Sequence, residues 1–285
     1  MTSFSGVGAW GDNVTFNGPV AGRDMVIGAP APVPSPRGAA DIGVLTILDE
    51  EIRAVTAELK RMHDYRERRL RHGPLAREAR FPAGGGRSVR IAAVQTLTRG
   101  TESAALAYRE LAEEYNPSTV LLVGIAGGIG KDVKVGDVVV SDEVISYDAR
   151  KEAADGVHRR GQAQAVAAGL GHRLNDFFAD IPPGRQLSFQ IHRGPIGSGN
   201  AVVSDKDSEI RLWLENFHDK VLAVETEAAG VAQSFHESVV RDGGPRGWLT
   251  IRGISDTADE HKDDDFHDLA ARHAAAVMAR MVPYL

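Results

Sequence analysis

The chain has 285 residues, of which 42% are hydrophobic and 25% charged, with a formal net charge of -6 and no cysteine. This length and composition predict a globular protein of one large or two smaller domains. The acidic balance argues against nucleic acid as the main partner, and the lack of cysteine excludes disulfides and thiolate metal sites. No apolar run reaches the length of a membrane span and the N-terminus has no signal-peptide pattern, so we expect no membrane partner and a cytoplasmic location.

Residues 1–40 differ from the rest of the chain and are predicted to form a separate N-terminal segment. Residues 13–27 are compatible with two short strands around Gly18-Pro19. From residue 30 to 36 every second residue is proline, a pattern typical of a stiff, extended linker. The segment is then either a disordered tail or an adaptor strand through which the chain contacts a protein partner.

From Asp41 onward, apolar runs of strand length alternate with stretches of helical periodicity, which defines a main domain over 41–285. Strands are predicted at residues 42–48, 89–97, 120–125, 135–141, 187–196, 221–224 and 249–254. Helices are predicted at residues 49–62, 101–115, 162–178, 208–217 and from the acidic run 263–265 onward. This alternation predicts an α/β fold with a largely parallel sheet between helices.

Several stretches of the chain resemble nucleotide-binding or metal-binding motifs but lack the required spacing. The glycine-rich stretch 124–131 has neither the spacing of a dinucleotide fingerprint nor that of a phosphate-binding P-loop. It is expected instead to let another group approach the backbone closely. The histidines near the C-terminus lie six apart, and the acidic run lacks calcium-loop spacing, so no metal site is predicted. The arginines between residues 66 and 80 are expected to form a solvated face or loop, or else to face an anionic substrate group.

Two predicted strands near the C-terminus end in carboxylates. The run Val224 to Gly230 carries Glu225 and Glu227, and the run Trp248 to Asp256 ends in Asp256. In open α/β sheets, ligands bind beyond the carboxyl ends of the strands. The sequence therefore predicts a polar small-molecule site at this edge.

The order and wording of the motifs resemble one superfamily. The matching segments are residues 42–52, 98–105, 123–142, 224–230 and 251–262. Together they resemble the purine nucleoside phosphorylase and methylthioadenosine/S-adenosylhomocysteine nucleosidase superfamily, most closely the nucleoside-phosphorylase-like domains of NLR-type and other defence proteins. The resemblance covers residues 41–285. It implies a three-layer α/β/α fold with a central mixed, largely parallel twisted sheet.

The resemblance also implies an activity. It implies hydrolysis of the N-glycosidic bond of an adenine nucleoside or nucleotide, in which Asp256 donates a proton or hydrogen bond to the purine. Glu51, or else Glu50 or Asp49, would orient or deprotonate the attacking water. Glu227 would bind the ribose hydroxyls, while Glu225 is expected to face the structural side or support the site.

Other residues follow from the same resemblance. Thr226 and Arg252 are assigned to ribose, and Val202, Val203 and Ser255 to the base. A pocket wall or phosphate site is assigned to Ile125, Ala126, Gly127, Arg99, Thr101 and Phe266, with core packing as an equal alternative for Phe266. Ile125 replaces a Ser that holds phosphate or water, which favours hydrolysis over phosphorolysis. Val202 replaces a base-stacking Phe, and this change together with Ile125 favours a binding module that has lost catalysis.

Two alternatives stay open. One is a phosphorylase that uses inorganic phosphate as co-substrate, and the other is a binding module that has lost catalysis. No other cofactor is expected. The family resemblance and the frequency of symmetric oligomers predict a homo-oligomer, a dimer or larger.

Overall fold

The computed structural model describes residues 21–22, 25–26, 39–83, 87–181, 188–238, 245–258 and 266–285. The chain divides into two units, 1–35 and 36–285. The described part of the first unit is an antiparallel pair, β1 (Ala21–Gly22) and β2 (Met25–Val26). This pair lies after Gly18-Pro19, and residues 13–20, where the rest of that prediction falls, lie outside the described residues. The alternating prolines and the rest of residues 1–38 lie outside the described residues, so the role of this segment stays a prediction.

The second unit alternates strands and helices. Its strands are β3 (Ile42–Thr46), β4 (His63–Arg69), β5 (Leu75–Ala83), β6 (Arg87–Gln95), β7 (Thr119–Gly128), β8 (Val138–Ser141), β9 (Glu143–Ser146), β10 (Arg150–Ala153), β11 (Gly156–Arg159), β12 (Gln162–Ala165), β13 (Ile191–Arg193), β14 (Ile196–Ser198), β15 (Ala223–Glu225) and β16 (Gly247–Asp256). Its helices are α1 (Asp49–Lys60), α2 (Thr101–Tyr115), α3 (Ala168–Ala179), α4 (Glu209–Phe217), α5 (Ala228–Ser238) and α6 (His267–Met281), followed by a 3-10 turn at Val282–Tyr284.

The main sheet is mixed: most neighbouring strands at its centre run parallel, but β15 and β7 are antiparallel, as are β12 and β9 at one edge and β6, β5 and β4 at the other. Its order is β12-β9-β14-β15-β7-β3-β6-β5-β4, and β16 pairs with both β7 and β8. The strands β6, β3, β7 and β16 run parallel to one another. The end of β7 pairs with β15 through Gly127 and Gly128. Because β16 and β15 both pair with β7, their carboxyl ends reach the same region of the sheet edge.

Helices cover both faces of this sheet. In β7, Val120 and Leu122 belong to the core that contains α2 and α5, whereas Leu121 and Val123 belong to the core that contains α1 and α6. A strand buried on both faces needs an uninterrupted apolar run, which is what β7 has. The predicted three-layer α/β/α class with a mixed, largely parallel sheet is confirmed.

Two predicted elements were wrong in detail. The predicted helix 162–178 is a strand up to Ala165, where Gln162–Ala165 pairs with β9, and only then a helix. The predicted strand 187–196 is two strands separated at Gly194-Pro195, and Leu187 lies outside the described residues. The break has a physical reason, since proline cannot donate a ladder hydrogen bond.

The arginines between residues 66 and 80 lie mostly on a hairpin that the sequence did not predict. β4 and β5 form an antiparallel pair at the sheet edge, and β5 continues the sheet from β6. Arg66 Nε and Arg68 Nε both donate to Glu78, at 2.6 and 3.0 Å. Both strands are rich in charge, and β4 has no apolar alternation that would mark it as a strand. No helix in the described part of the chain is long and apolar enough to cross a membrane.

Candidate active site

A cavity opens where the carboxyl ends of several strands meet. It encloses about 660 Å³ of space, including its open mouth. The lining side chains follow or end β3, β6, β7, β9, β14, β15 and β16, which are distant in sequence. Of the predicted site residues it contains Glu51, Arg99, Ile125, Ala126, Gly127, Val202, Val203, Thr226, Glu227, Ser255 and Asp256. The predicted location of the site at this sheet edge agrees with the geometry.

Arg252 organises the carboxylates behind the cavity. It lies on β16, is fully buried, and does not itself line the cavity. Its Nη2 donates to Glu225 Oε2 and, at 3.0 Å, to Glu227 Oε2. Its Nη1 lies 3.8 Å from Glu51 Oε1. Burial alone would lower the pKa of Arg252, but the charges of the three glutamates raise it, so the guanidinium stays charged.

Glu225 and Glu227 have different surroundings. The Glu225 carboxylate accepts the backbone N–H groups of Glu227 and Ala228 at 3.0 Å, which ties the end of β15 to the start of α5. Burial raises the pKa of Glu225, although the Arg252 charge opposes this rise. Glu227 accepts the Thr226 hydroxyl, as well as the Gly100 N–H at 3.1 Å. Glu225 therefore supports the site, as expected, although it also lines the cavity.

Glu51 both caps α1 and lines the cavity. Its Oε2 accepts the N–H groups of Ile47 and Leu48 at 2.6 and 3.0 Å, satisfying donors at the helix N-terminus. Its Oε1 accepts the Ile125 N–H at 2.9 Å. Burial raises the pKa of Glu51 above its ordinary value, against the opposing effects of the Arg252 charge and these N–H donors. One side chain therefore both caps α1 and lines the cavity.

The alternatives to Glu51 lie elsewhere. Asp49 Oδ1 accepts from Gln95 at 2.8 Å, and Glu50 Oε1 lies 3.2 Å from His267 Nδ1. Neither carboxylate lines the cavity.

Gly124 allows this close packing. A Cβ built on Gly124 would overlap both Glu51 Oε1 and Arg252 Nη1. Both of those side chains are buried, so neither has room to move away. The expectation that the glycine-rich stretch permits close approach is supported at this position.

Asp256 reaches the cavity because β16 is irregular at its end. The pairing with β7 shifts register between Ile254 and Asp256. A β-bulge re-aims side chains, and here both Ser255 and Asp256 line the cavity, although they are consecutive. The Asp256 carboxylate accepts the Ser255 hydroxyl and the Ala258 N–H, each at 2.9 Å. Residues 259–262 of the same motif lie outside the described residues.

The predicted base-binding loop is held by a tyrosine. Val203 is buried, whereas Val202 is 59% exposed at the cavity mouth. The Tyr147 hydroxyl lies 2.7 Å from the Ala201 carbonyl and 2.9 Å from the Gly199 carbonyl, and donates to these acceptors. Tyr147 also lines the cavity.

Three predicted residues do not line the cavity. Arg252 lies behind the wall, as described above. Thr101 lies at the start of α2, where its N–H donates to Asn200 Oδ1 at 3.0 Å. Phe266 is 46% exposed just before α6, and His267 takes the place in the cavity wall that was assigned to it. Of the two interpretations of Phe266, the structure supports neither a wall nor a buried core position.

Sequence reasoning missed several lining residues. Tyr147 follows β9, a short strand that was not predicted, although the apolar run Val144-Ile145 before it was the available signal. The spacing of His267 from the other histidines argued only against a metal site and gave no sign of its position at the start of α6. In the described part of the chain, no group of three or more His, Asp or Glu could hold a metal ion. None of the hairpin arginines lines this cavity, so the alternative that they face substrate is not supported.

Comparison with known proteins agrees with this geometry. A family model described as the phosphorylase superfamily matches residues 41–283. The 5'-methylthioadenosine/S-adenosylhomocysteine nucleosidase of Oceanobacillus iheyensis is 30% identical over 186 residues, covering 64% of this chain and 77% of that protein. The Escherichia coli protein ATP nucleosidase Cap17 is 28% identical over 192 residues, covering 59% of this chain but 36% of that protein.

Solved structures show the same fold. The 5'-methylthioadenosine/S-adenosylhomocysteine nucleosidase of Neisseria meningitidis, in complex with methylthio-immucillin-A, has a TM-score of 0.68 and 28% identity. The match covers 86% of this chain and 99% of that one. The futalosine hydrolase of Helicobacter pylori also has a TM-score of 0.68, but at 23% identity it supports the fold alone.

Proposed function

The chain belongs to the phosphorylase superfamily, and we propose that it is a purine N-glycosidase that hydrolyses the N-glycosidic bond of an adenine nucleoside or nucleotide. The observation that carries the proposal is the carboxylate cluster. One buried guanidinium, Arg252, holds Glu51 and Glu227 in the wall of a cavity that Asp256 also lines. The relatives named as nucleosidases support the same reaction class.

Glu227 holds the ribose in this proposal. Its carboxylate is fixed by Arg252, Thr226 and the Gly100 N–H, so it accepts the ribose hydroxyls without reorganising. Glu51, Glu225 and Glu227 outnumber the single guanidinium that they share. This excess of negative charge stabilises the positive charge that develops on the sugar as the bond to the base breaks.

Asp256 handles the leaving base. A proton or hydrogen bond delivered to the purine ring neutralises the electron pair that the ring takes from the broken C1'–N9 bond. The Ser255 hydroxyl and the Ala258 N–H orient the Asp256 carboxyl group. Gly127 leaves room beside it, because a Cβ at that position would lie 2.9 Å from Asp256 Oδ1.

Glu51 handles the nucleophile. The water oxygen bonds to C1' and gives up a proton to the Glu51 carboxylate. A carboxylate with a raised pKa is a better proton acceptor near neutral pH than an ordinary one.

Hydrolysis is preferred over phosphorolysis for a local reason. Ile125 has no hydroxyl, and its N–H already donates to Glu51, so neither group is available to an incoming phosphate. A phosphorylase is the second candidate, because Arg99 at the cavity lining is a possible phosphate ligand. A binding module without turnover is disfavoured by the intact carboxylate cluster.

The test is release of free base. The protein is incubated with adenosine, methylthioadenosine, AMP and ATP, each with and without inorganic phosphate, and free adenine is measured by chromatography. We expect adenine from at least one substrate without phosphate. Release that requires phosphate would establish the phosphorylase, and tight binding with no release from any substrate would establish the binding module.

The remaining expectations stay predictions. They are the homo-oligomer, the protein partner for residues 1–40, the cytoplasmic location and the defence setting. Size-exclusion chromatography with light scattering tests the first directly.

A further inference from the structure

Two basic side chains line the cavity apart from the carboxylate cluster. They are Arg99, on the turn between β6 and α2, and His267, at the start of α6. Arg252, by contrast, is fully buried and its Nη2 is committed to the glutamates. Arg99 and His267 are therefore the basic side chains that line this cavity.

The backbone on the C-terminal side of Arg99 is fixed by hydrogen bonds. The N–H of Gly100 donates to Glu227, and the N–H of Thr101 donates to Asn200. Gly100 has a φ of 105°, a conformation that favours glycine, so the turn is specified by the sequence. Arg99 itself makes no hydrogen bond or ion pair with any residue that the structure describes. A planar guanidinium held on a fixed turn is suited to bind phosphate oxygens.

His267 is held by a carboxylate. Its Nδ1 lies 3.2 Å from Glu50 Oε1, and its side chain is 16% exposed. A carboxylate partner fixes the orientation of an imidazole ring. The Glu50 contact also explains why Glu50 does not take the place of Glu51, one residue further along α1.

The position of both groups relative to the substrate follows from the proposed function, on which this inference rests. Asp256 and Val203 are assigned to the base, and Glu227 to the ribose hydroxyls. Arg99, His267, Ile47 and Leu48 are among the lining residues that have no role in binding the base, the ribose or the water, and we place them beside the 5' carbon and its substituent. Apolar contacts from Ile47 and Leu48 suit the carbon, and two basic groups suit an anion attached to it.

We infer that the substrate is a 5'-phosphorylated adenine nucleoside, and that Arg99 and His267 are specificity-determining residues that bind its phosphate. The same chemistry would bind free inorganic phosphate. In that case phosphate would serve as co-substrate, and the substrate itself would be an unphosphorylated nucleoside. These two sources of phosphate make opposite predictions about adenosine.

The experiment measures kcat/KM for adenosine, AMP, ADP and ATP in phosphate-free buffer, and then repeats adenosine with added phosphate. We expect the best nucleotide to exceed adenosine by at least about 10-fold, the scale of one charge-assisted hydrogen bond. Equal values for adenosine and all three nucleotides would overturn the inference. So would adenosine cleavage that is activated by phosphate.

Variants assign the effect to the two residues. Arg99→Met and His267→Asn are each expected to reduce the nucleotide-to-adenosine ratio by at least about 10-fold. Arg109→Met is the matched control, because Arg109 is exposed on α2 and lies outside the cavity lining. The melting temperature of each variant is measured. Arg99→Lys replaces Arg99→Met if that variant does not fold.

The outcomes separate this inference from the proposed function. No adenine from any of the four compounds, nor from methylthioadenosine, contradicts the N-glycosidase itself. Adenine released with an unchanged nucleotide-to-adenosine ratio in both Arg99 and His267 variants contradicts only the phosphate site.

Discussion

The sheet carries two clusters in which buried carboxylates bind arginines, and the pKa values of the carboxylates shift in opposite directions. At the strand ends, three glutamates share Arg252, and burial raises the pKa of Glu51 and of Glu225. On the β4–β5 hairpin, Glu78 alone accepts from Arg66, Arg68 and the Tyr115 hydroxyl. Burial alone would raise the pKa of Glu78, but these hydrogen bonds outweigh it and lower the pKa.

The difference lies in the supply of donors. Where carboxylates outnumber guanidiniums, burial prevails, and Glu51 and Glu225 bind protons more readily. Where donors outnumber the carboxylate, the ionised form is stabilised and takes part only in structure. Perturbed carboxylates in a cavity are candidates for catalysis, whereas an ion network on a sheet edge is ordinarily structural. Four substitutions test this contrast between the catalytic and the structural cluster.

Asp256→Asn is expected to lower turnover by at least about 10²-fold, the typical scale for losing general-acid catalysis. The fold should persist, because Asn accepts a hydrogen bond from the Ala258 N–H in the same place. Base release is measured beside the melting temperature. Asp41→Asn, which changes an aspartate that binds Arg90 away from the cavity, is the matched control and should turn over normally. A near-normal rate for Asp256→Asn would show that another group donates the proton.

Glu51→Gln is expected to lower turnover by about 10²-fold and to change the pH profile. The raised pKa means that the Glu51 carboxylate takes up a proton at a pH above its ordinary value of 4.5. Activity that needs the ionised form is therefore lost as the pH falls, beginning above pH 4.5. The wild-type kcat/KM profile measures this acid limb. A limb that persists unchanged in Glu51→Gln would assign it to another residue.

Gly124→Ala is expected to cost roughly 1–3 kcal/mol of stability, the scale of an overpacked core, and to impair turnover. The added methyl group would overlap Glu51 and Arg252, which have no space to retreat. Gly171→Ala is the control, because a Cβ there meets nothing within 4 Å and alanine favours the helix. Urea unfolding measures both variants, and equal stability for the two would contradict the close packing at Gly124.

Glu78→Gln is expected to cost about 1 kcal/mol near neutral pH without changing turnover, because it removes charge from hydrogen bonds to partly exposed arginines. The lowered pKa means that this stabilisation is present above the unfolded pKa and is lost as the pH falls through the folded pKa. The difference in stability between wild type and variant should therefore shrink in acid. Urea unfolding at several pH values measures it, and a constant difference would contradict the account of Glu78.

Much of the site could be predicted from sequence because its residues occur in local motifs. Glu227 and Asp256 follow apolar runs, and the edge where such runs end is where ligands bind in α/β sheets. Alternation of strands and helices likewise predicted the layers. These inferences need only neighbouring residues, and the structure places both carboxylates in one cavity.

The remainder depended on contacts between distant segments. Arg252 could be assigned to ribose by resemblance, but its central position depends on packing against Gly124. His267 was missed because the motif pointed to its neighbour Phe266, and the register of a helix start is not fixed by sequence pattern. The β4–β5 hairpin was missed because its strands are rich in charge and lack the regular apolar alternation that marks a strand.

The most direct test of the central claim is release of free adenine by the wild-type protein in phosphate-free buffer. We expect equal amounts of adenine and of the free sugar, which keeps the 5' substituent of the nucleoside or nucleotide. No adenine from any of adenosine, methylthioadenosine, AMP or ATP would contradict it.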